Sequence, residues 1–211
     1  FALFMVLLAV RGHWPADGLW GLDGRWIYGV SVLAVCACLA FFWRDYAELK
    51  RHAWSGVLDS LLAVAVGVGV FWLWINLNEP WMMLGESTAS FVPVDGEGRL
   101  EWSLVAVRWF GAALMVPVME ELFWRSFLMR WIDKPSFEQV DPRLVSIKAI
   151  GLSTLVFTLA HTQWLAAILA GLAYAWLYRR SGSLWSAVIA HGVTNGLLGC
   201  WVVLFGNWQF W

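Results

Sequence analysis

Long uninterrupted apolar runs constrain this chain more than any other feature it has. A helix needs about 17–25 predominantly apolar residues to cross a bilayer. Runs reaching or approaching that length occur at 1–10, 26–43, 57–75, 102 to about 131, 147–161, 164–178 and 184–205. They are continuous rather than alternating, so they read as helices and not as barrel strands. The chain opens inside the first run, which reads as a truncated span of a trimmed chain with any signal segment outside it. The runs at 147–161 and 164–178 are separated only by Thr162 and Gln163, which predicts a tight helical hairpin. The expected fold is all-α, a polytopic transmembrane helical bundle of about seven to eight spans. It forms one integral membrane domain over 1–211, with the candidate catalytic core in 102–205.

Composition agrees. Hydrophobic residues make up 61% of the chain and charged residues 14%, against roughly 45–50% and 25% in soluble domains. So few charges cannot cover a water-facing surface. Lys+Arg 14 balance Asp+Glu 15, which excludes a basic nucleic-acid binder; the apolar content excludes a disordered chain. Cys36 and Cys38 share one run and Cys200 lies in another, with no disulfide or metal spacing, so all three are expected to be small buried hydrophobes. Trp26, Trp43, Trp102, Trp131, Trp164 and Trp185 stand near run ends, as interfacial anchors do. Gly67, Gly69, Gly171 and Gly192 are expected to admit close helix packing.

Loop charge gives an orientation. With loops alternating in side, one set holds Arg44, Lys50, Arg51, Arg125, Arg130, Lys134, Arg143, Lys148, Arg179 and Arg180. The other holds Arg11, Arg25 and Arg99. The positive excess marks the cytoplasmic side, so the N-terminal end is expected inside and the C-terminal end outside. The loop at 76–101 carries Glu79, Glu86, Asp95, Glu97 and Glu101, which suits an outer loop.

An ionisable group inside a span is costly unless paired or solvated, and so is a functional candidate. Glu120, Glu121 and Arg125 lie in one apolar run, His161 near the end of another, and His191 and Asn195 in the last. Asp59 and Arg108 stand outside any motif and are expected to pair across helices. Glu121 and Arg125 are four apart, as are His191 and Asn195, so each pair shares a helix face. Glu120 points about 100° away from Glu121 and is free for another task. At 1.5 Å per residue, Glu120 is about 15 Å from Arg130, His161 about 20 Å from Lys148 and His191 about 16 Å from Arg180. Three helices thus place a carboxylate and two imidazoles at comparable depth, near the midplane of a bilayer core about 30 Å thick.

The chemistry open to this set is narrow. No Ser or Cys sits beside a base in a nucleophile motif, so water is the natural nucleophile. A glutamate helped by a histidine takes its proton, while a second histidine and an asparagine amide donate to the developing oxyanion. Alternatively, Glu120, His161 and His191 hold a divalent metal such as zinc with an open position. No two-histidine turn preorganises such a site, and no cofactor is the favoured reading.

The ordered set Glu120-Glu121-x-x-x-Arg125, Phe157-x-x-x-His161 and His191-x-x-x-Asn195 resembles the three motifs of the CAAX-protease and bacteriocin-processing family of intramembrane proteases. The resemblance covers roughly 115–198 and includes the stretch Arg180-Ser181-Gly182-Ser183-Leu184-Trp185. It implies that Glu120 and His161 activate water, that His191 and Asn195 stabilise the oxyanion, and that Glu121 and Arg125 support them. Trp124 and Ser126 depart from the Phe and Gly common in the family, which touches packing rather than a catalytic group. The opening Phe1-Ala2-Leu3-Phe4-Met5 and the stretch 121–131 resemble a bacterial branch associated with exosortase and PEP-CTERM sorting. That implies the bacterial cytoplasmic (inner) membrane, a membrane-tethered protein or peptide substrate, and exosortase-system partners. A non-catalytic binding or self-immunity protein of the same fold is the alternative. A proton-coupled carrier is a third reading, but it would need paired broken helices and repeat symmetry, and neither occurs in the sequence.

Overall fold

The computed structural model describes residues 1–14, 23–50, 53–85 and 91–211. Arg51 and Glu86, counted above among the loop charges, lie outside these residues. The chain is all-helical, 76% helix with no strands among the described residues. In order, the helices are α1 (Ala2–Gly12), α2 (Trp26–Phe41), α3 (Val57–Asn76), α4 (Trp102–Asp133), α5 (Ile147–Leu159), α6 (Trp164–Ser181) and α7 (Leu184–Phe205). Each matches a predicted apolar run. Three of them, α3, α4 and α7, are long and apolar enough to cross a membrane, while α1, α2 and α5 are apolar but shorter. The chain is an integral membrane protein.

Local chemistry sets the helix ends. Ser146 caps α5 by accepting from Ala149 N at 3.1 Å. Asp133, the last residue of α4, accepts from the backbone N–H of Ser146 at 2.7 Å and from its hydroxyl at 2.5 Å, which ties the two helices together. Gly182 (φ +72°) and Gly206 (φ +67°) close α6 and α7 in the left-handed conformation. The α5–α6 hairpin is as tight as expected. Gln163 fastens it to the end of α3 by donating to Trp74 O at 2.9 Å and Leu77 O at 3.3 Å.

One placement differs from the sequence reading. α5 ends at Leu159, so His161 lies in the turn rather than in a span, its N–H bonded to Thr158 O at 3.0 Å. Three further expectations are corrected. Arg125 and Arg130 are not loop charges; both are buried within α4, Arg130 against Glu48 at 2.7 Å. Asp59 pairs with Arg180 rather than Arg108. Cys38 and Cys200 are exposed on outer helix surfaces, where lipid accepts a small apolar side chain as readily as a core does.

Two segments of α4, Gly111–Met115 and Leu122–Met129, form wider π turns. Pro117 explains the first. It has no N–H to give to the carbonyl five residues back, Ala112, and its ring crowds the carbonyl four back, Ala113. Both carbonyls turn toward α7. Asn195 Nδ2 donates to Ala112 O at 2.9 Å. Gly192 admits Ala113 O, which would lie 2.9 Å from a Cβ placed there.

The α3–α7 contact is one of the two most extensive helix pairings among the described residues. It depends on Gly67, where a Cβ would fall 2.5 Å from Ala190 O and 2.8 Å from Val193 Cβ. Gly171 meets Thr154 in the same way, whereas Gly69 faces open space and needs no such approach. Gly67→Ala should therefore lower stability by about 1–3 kcal/mol, because backbone cannot yield. Gly69→Ala should be neutral or slightly stabilising. Thermal unfolding of both variants in one detergent checks the contrast.

Candidate active site

The four residues expected to act on substrate arrive from three parts of the fold and line one cavity of about 170 Å³. Glu120 comes from α4, His161 from the α5–α6 turn, and His191 and Asn195 from α7. Arg108, Tyr174, Thr194 and Trp74 complete much of its wall.

Beneath the cavity, Glu121 is fully buried and held from two sides. Its Oε1 accepts from His191 Nδ1 at 2.8 Å, and its Oε2 faces Arg125 Nε at 3.1 Å. The i,i+4 pair read from the sequence is therefore present, and it also reaches α7. Arg125, 3% exposed, donates to Gly171 O at 3.3 Å and lies 4.6 Å from the Phe157 ring centroid. A buried carboxylate is tolerated only with such partners. Trp124, one of the family departures, packs edge-on against Phe157 at 5.6 Å. Ser126, the other, donates to Glu48.

Hydrogen bonding fixes both imidazoles. His161 Nδ1 lies 2.7 Å from Phe157 O. A carbonyl only accepts, so Nδ1 carries the proton and the neutral ring keeps its lone pair on Nε2. Trp74 stands edge-on to this ring at 5.7 Å. His191 gives its Nδ1 proton to Glu121, and Tyr174 stacks on its ring at 5.1 Å and 19°. The Tyr174 hydroxyl donates to Thr194 Oγ1 at 2.7 Å, and Thr194 in turn reaches Gly67 O at 2.9 Å. This chain locks the His191 face of α7 against α3 and α6.

Glu120 and Asn195 keep free capacity. Glu120 Oε2 is buried and accepts no hydrogen bond from the protein. Ala112 O accepts one N–H of the Asn195 amide, which fixes the amide's orientation and leaves its second N–H. Among the described residues, no group of three or more His, Cys, Asp or Glu stands out as able to hold a metal ion.

The sequence reading missed Tyr174, Thr194 and Arg108 as parts of this site. Thr194 carried a signal, three residues after His191 and so close to the same face. Tyr174 carried none in its apolar helix. Arg108 was assigned a structural pairing with Asp59, but it lies in the cavity wall.

Residues 102–197 match the family described as type II CAAX prenyl endopeptidase Rce1-like. The match covers a little under half of the chain and takes in all three motifs. No curated protein and no solved structure matches the chain.

Arg125→Ala should harm folding before chemistry. It leaves Glu121 buried with one partner, a loss of about 3–5 kcal/mol. The yield of monodisperse protein and its melting temperature should fall sharply. A well-folded variant with no activity would instead place Arg125 among the residues that act in the reaction.

Proposed function

We propose that this chain is an intramembrane endopeptidase that hydrolyses a peptide bond in a membrane-tethered substrate, a reading supported by the match of residues 102–197 to the type II CAAX prenyl endopeptidase Rce1-like family, a family of proteases. The observation that carries the reading is the convergence of Glu120, His161, His191 and Asn195 on one cavity.

In this reading a water sits between the free oxygen of Glu120 and the Nε2 lone pair of His161. Glu120 takes a proton from it, and its oxygen attacks the scissile carbonyl carbon. The carbonyl oxygen becomes an oxyanion and accepts from the second N–H of Asn195. His191, with Nδ1 committed to Glu121, faces the same oxygen through Nε2 and donates when its ring carries both protons. The C–N bond then breaks, and the proton held by Glu120 passes to the leaving nitrogen. One water is consumed, giving a carboxylic acid and an amine. No step passes through a metal ion.

The topology proposed with it has seven crossings, a cytoplasmic N-terminal end, and residence in a bacterial inner membrane. The exosortase-associated resemblance makes proteins of that sorting system the proposed substrates or partners.

Glu120→Gln keeps the shape and removes the base. Cleavage of a lipid-anchored peptide by the reconstituted protein should fall at least about 100-fold, with the melting temperature nearly unchanged. Turnover at the original rate would refute the assignment of Glu120 as base.

A further inference from the structure

Away from the candidate active site, α4 borders two adjoining cavities that share no lining residue with it. One, of about 250 Å³, lies between α1, α2 and α4, and apolar side chains such as Phe4, Val35, Leu39, Met119 and Phe123 line it. The other, of about 480 Å³, carries the charges, with Asp45, Glu48, Arg130 and Glu138 in its wall beside Ser126. Tyr46, Leu122 and Phe127 line both, so the two cavities meet at these residues.

Their order along α4 follows the profile of one bilayer leaflet. The apolar cavity touches α4 from Met119 to Phe127, about 12 Å of helix, which fits within half of a hydrocarbon core about 30 Å thick. The charged cavity touches it from Leu122 to Arg130, nearer the helix end at Asp133. Its wall is fixed by internal bonds. Glu48, in the turn Ala47–Leu49, accepts from Ser126, from Tyr178 and, at 2.7 Å, from Arg130. Arg130 also donates to Ser126 O at 2.6 Å and Val140 O at 3.3 Å. Glu48 and Arg130 therefore neutralise each other. Asp45 and Glu138 remain, both exposed, and neither carboxylate takes an ion pair or a hydrogen bond among the described residues. Arg44, Lys50 and Lys134 are near in sequence but do not line the cavity. Two uncompensated negative charges thus stand beside an apolar slot.

We infer that the two cavities form one site for an amine-headed phospholipid such as phosphatidylethanolamine. Its ammonium faces Asp45 and Glu138, and one acyl chain fills the slot between α1, α2 and α4. The ammonium brings a positive charge and three N–H donors to two carboxylates that only accept. An anionic headgroup would meet like charge in the same place. The slot selects a lipid over a water-soluble amine, because burying the chain adds about 0.8 kcal/mol for each CH2 group. In the slot wall Phe1 stacks on Phe123 at 3.9 Å, a contact that joins α1 to α4. A chain lodged there extends that contact and fastens α1 and α2 to the rest of the bundle. The site is independent of the proteolytic reading.

The test offers the full chain, purified in detergent, equal amounts of phosphatidylethanolamine and phosphatidylglycerol with identical acyl chains, and counts retained lipid by native mass spectrometry. Phosphatidylethanolamine should be kept at least about fivefold more often, and it should raise the melting temperature where phosphatidylglycerol does not. Two variants separate the arms of the site. Asp45→Asn combined with Glu138→Gln should bring the two lipids within about twofold of each other. Both carboxylates are exposed and unpaired, so the fold tolerates their neutralisation. Leu39→Trp fills the slot and should abolish the selective retention with both carboxylates in place. Equal retention of the two lipids by the unmodified protein, or a preference that survives either variant, would overturn the inference. So would binding of a soluble Lys-rich peptide to Asp45 and Glu138 with no lipid retained, which would make the occupant a protein segment.

Discussion

The low dielectric inside a helical bundle penalises every charge that lacks a partner, and Glu121 is where this chain meets that constraint. Its carboxylate has no exposed surface; His191 on α7 hydrogen-bonds one oxygen, and Arg125 on its own helix forms an ion pair with the other. One side chain therefore does two things. It makes α4 and α7 mutually dependent, and it sets the tautomer and orientation of an imidazole that lines the cavity. Tyr174 and Thr194 extend the same arrangement to α6 and α3, so that a ring stack and two hydroxyl bonds support the His191 face. Removing any one partner leaves another polar group buried without its bond, which is where proteins lose most stability.

Backbone irregularity contributes on equal terms. Pro117 withholds an N–H from the helix ladder, α4 widens ahead of it, and the carbonyl released at Ala112 is taken by Asn195. The same widening turns Arg108 and Glu120 toward a common space. A regular helix of identical composition would send these side chains in different directions. Gly67 and Gly192 then let the backbones approach closely enough for the bonds to form. The site depends on four helices and one turn, yet the pieces that set its geometry are a proline, two glycines and one buried carboxylate.

Much of this was legible in the sequence, for identifiable reasons. Lipid-facing helices are apolar around their whole circumference, so run length alone located α3, α4 and α7. Four-residue spacing was enough to put Glu121 beside Arg125 and His191 beside Asn195. The family resemblance over roughly 115–198 was readable because polar groups are so rare in such runs that their order stands out. Other features left no trace. The apolar run containing α5 continues through its turn, so hydropathy placed His161 within a span when the helix had already ended at Leu159. Charge partners between helices depend on packing, which is why Asp59 was matched to Arg108 instead of Arg180. Tyr174 looks like any other apolar helix residue until His191 is stacked on it. The π turns were hidden too, although Pro117 marked where one of them would form.

The account stands or falls on whether water, positioned in the cavity, is the nucleophile that cuts a membrane-tethered peptide. Mass spectrometry of the reconstituted reaction run in H2(18)O, with rapid quenching in the first turnover, addresses this directly. The account predicts two free peptide products, a single heavy oxygen in the new C-terminal carboxylate, and no peptide bound covalently to the protein at any time. A peptide–protein adduct that forms and decays with turnover would contradict it, as would tight binding of the tethered peptide with no bond broken.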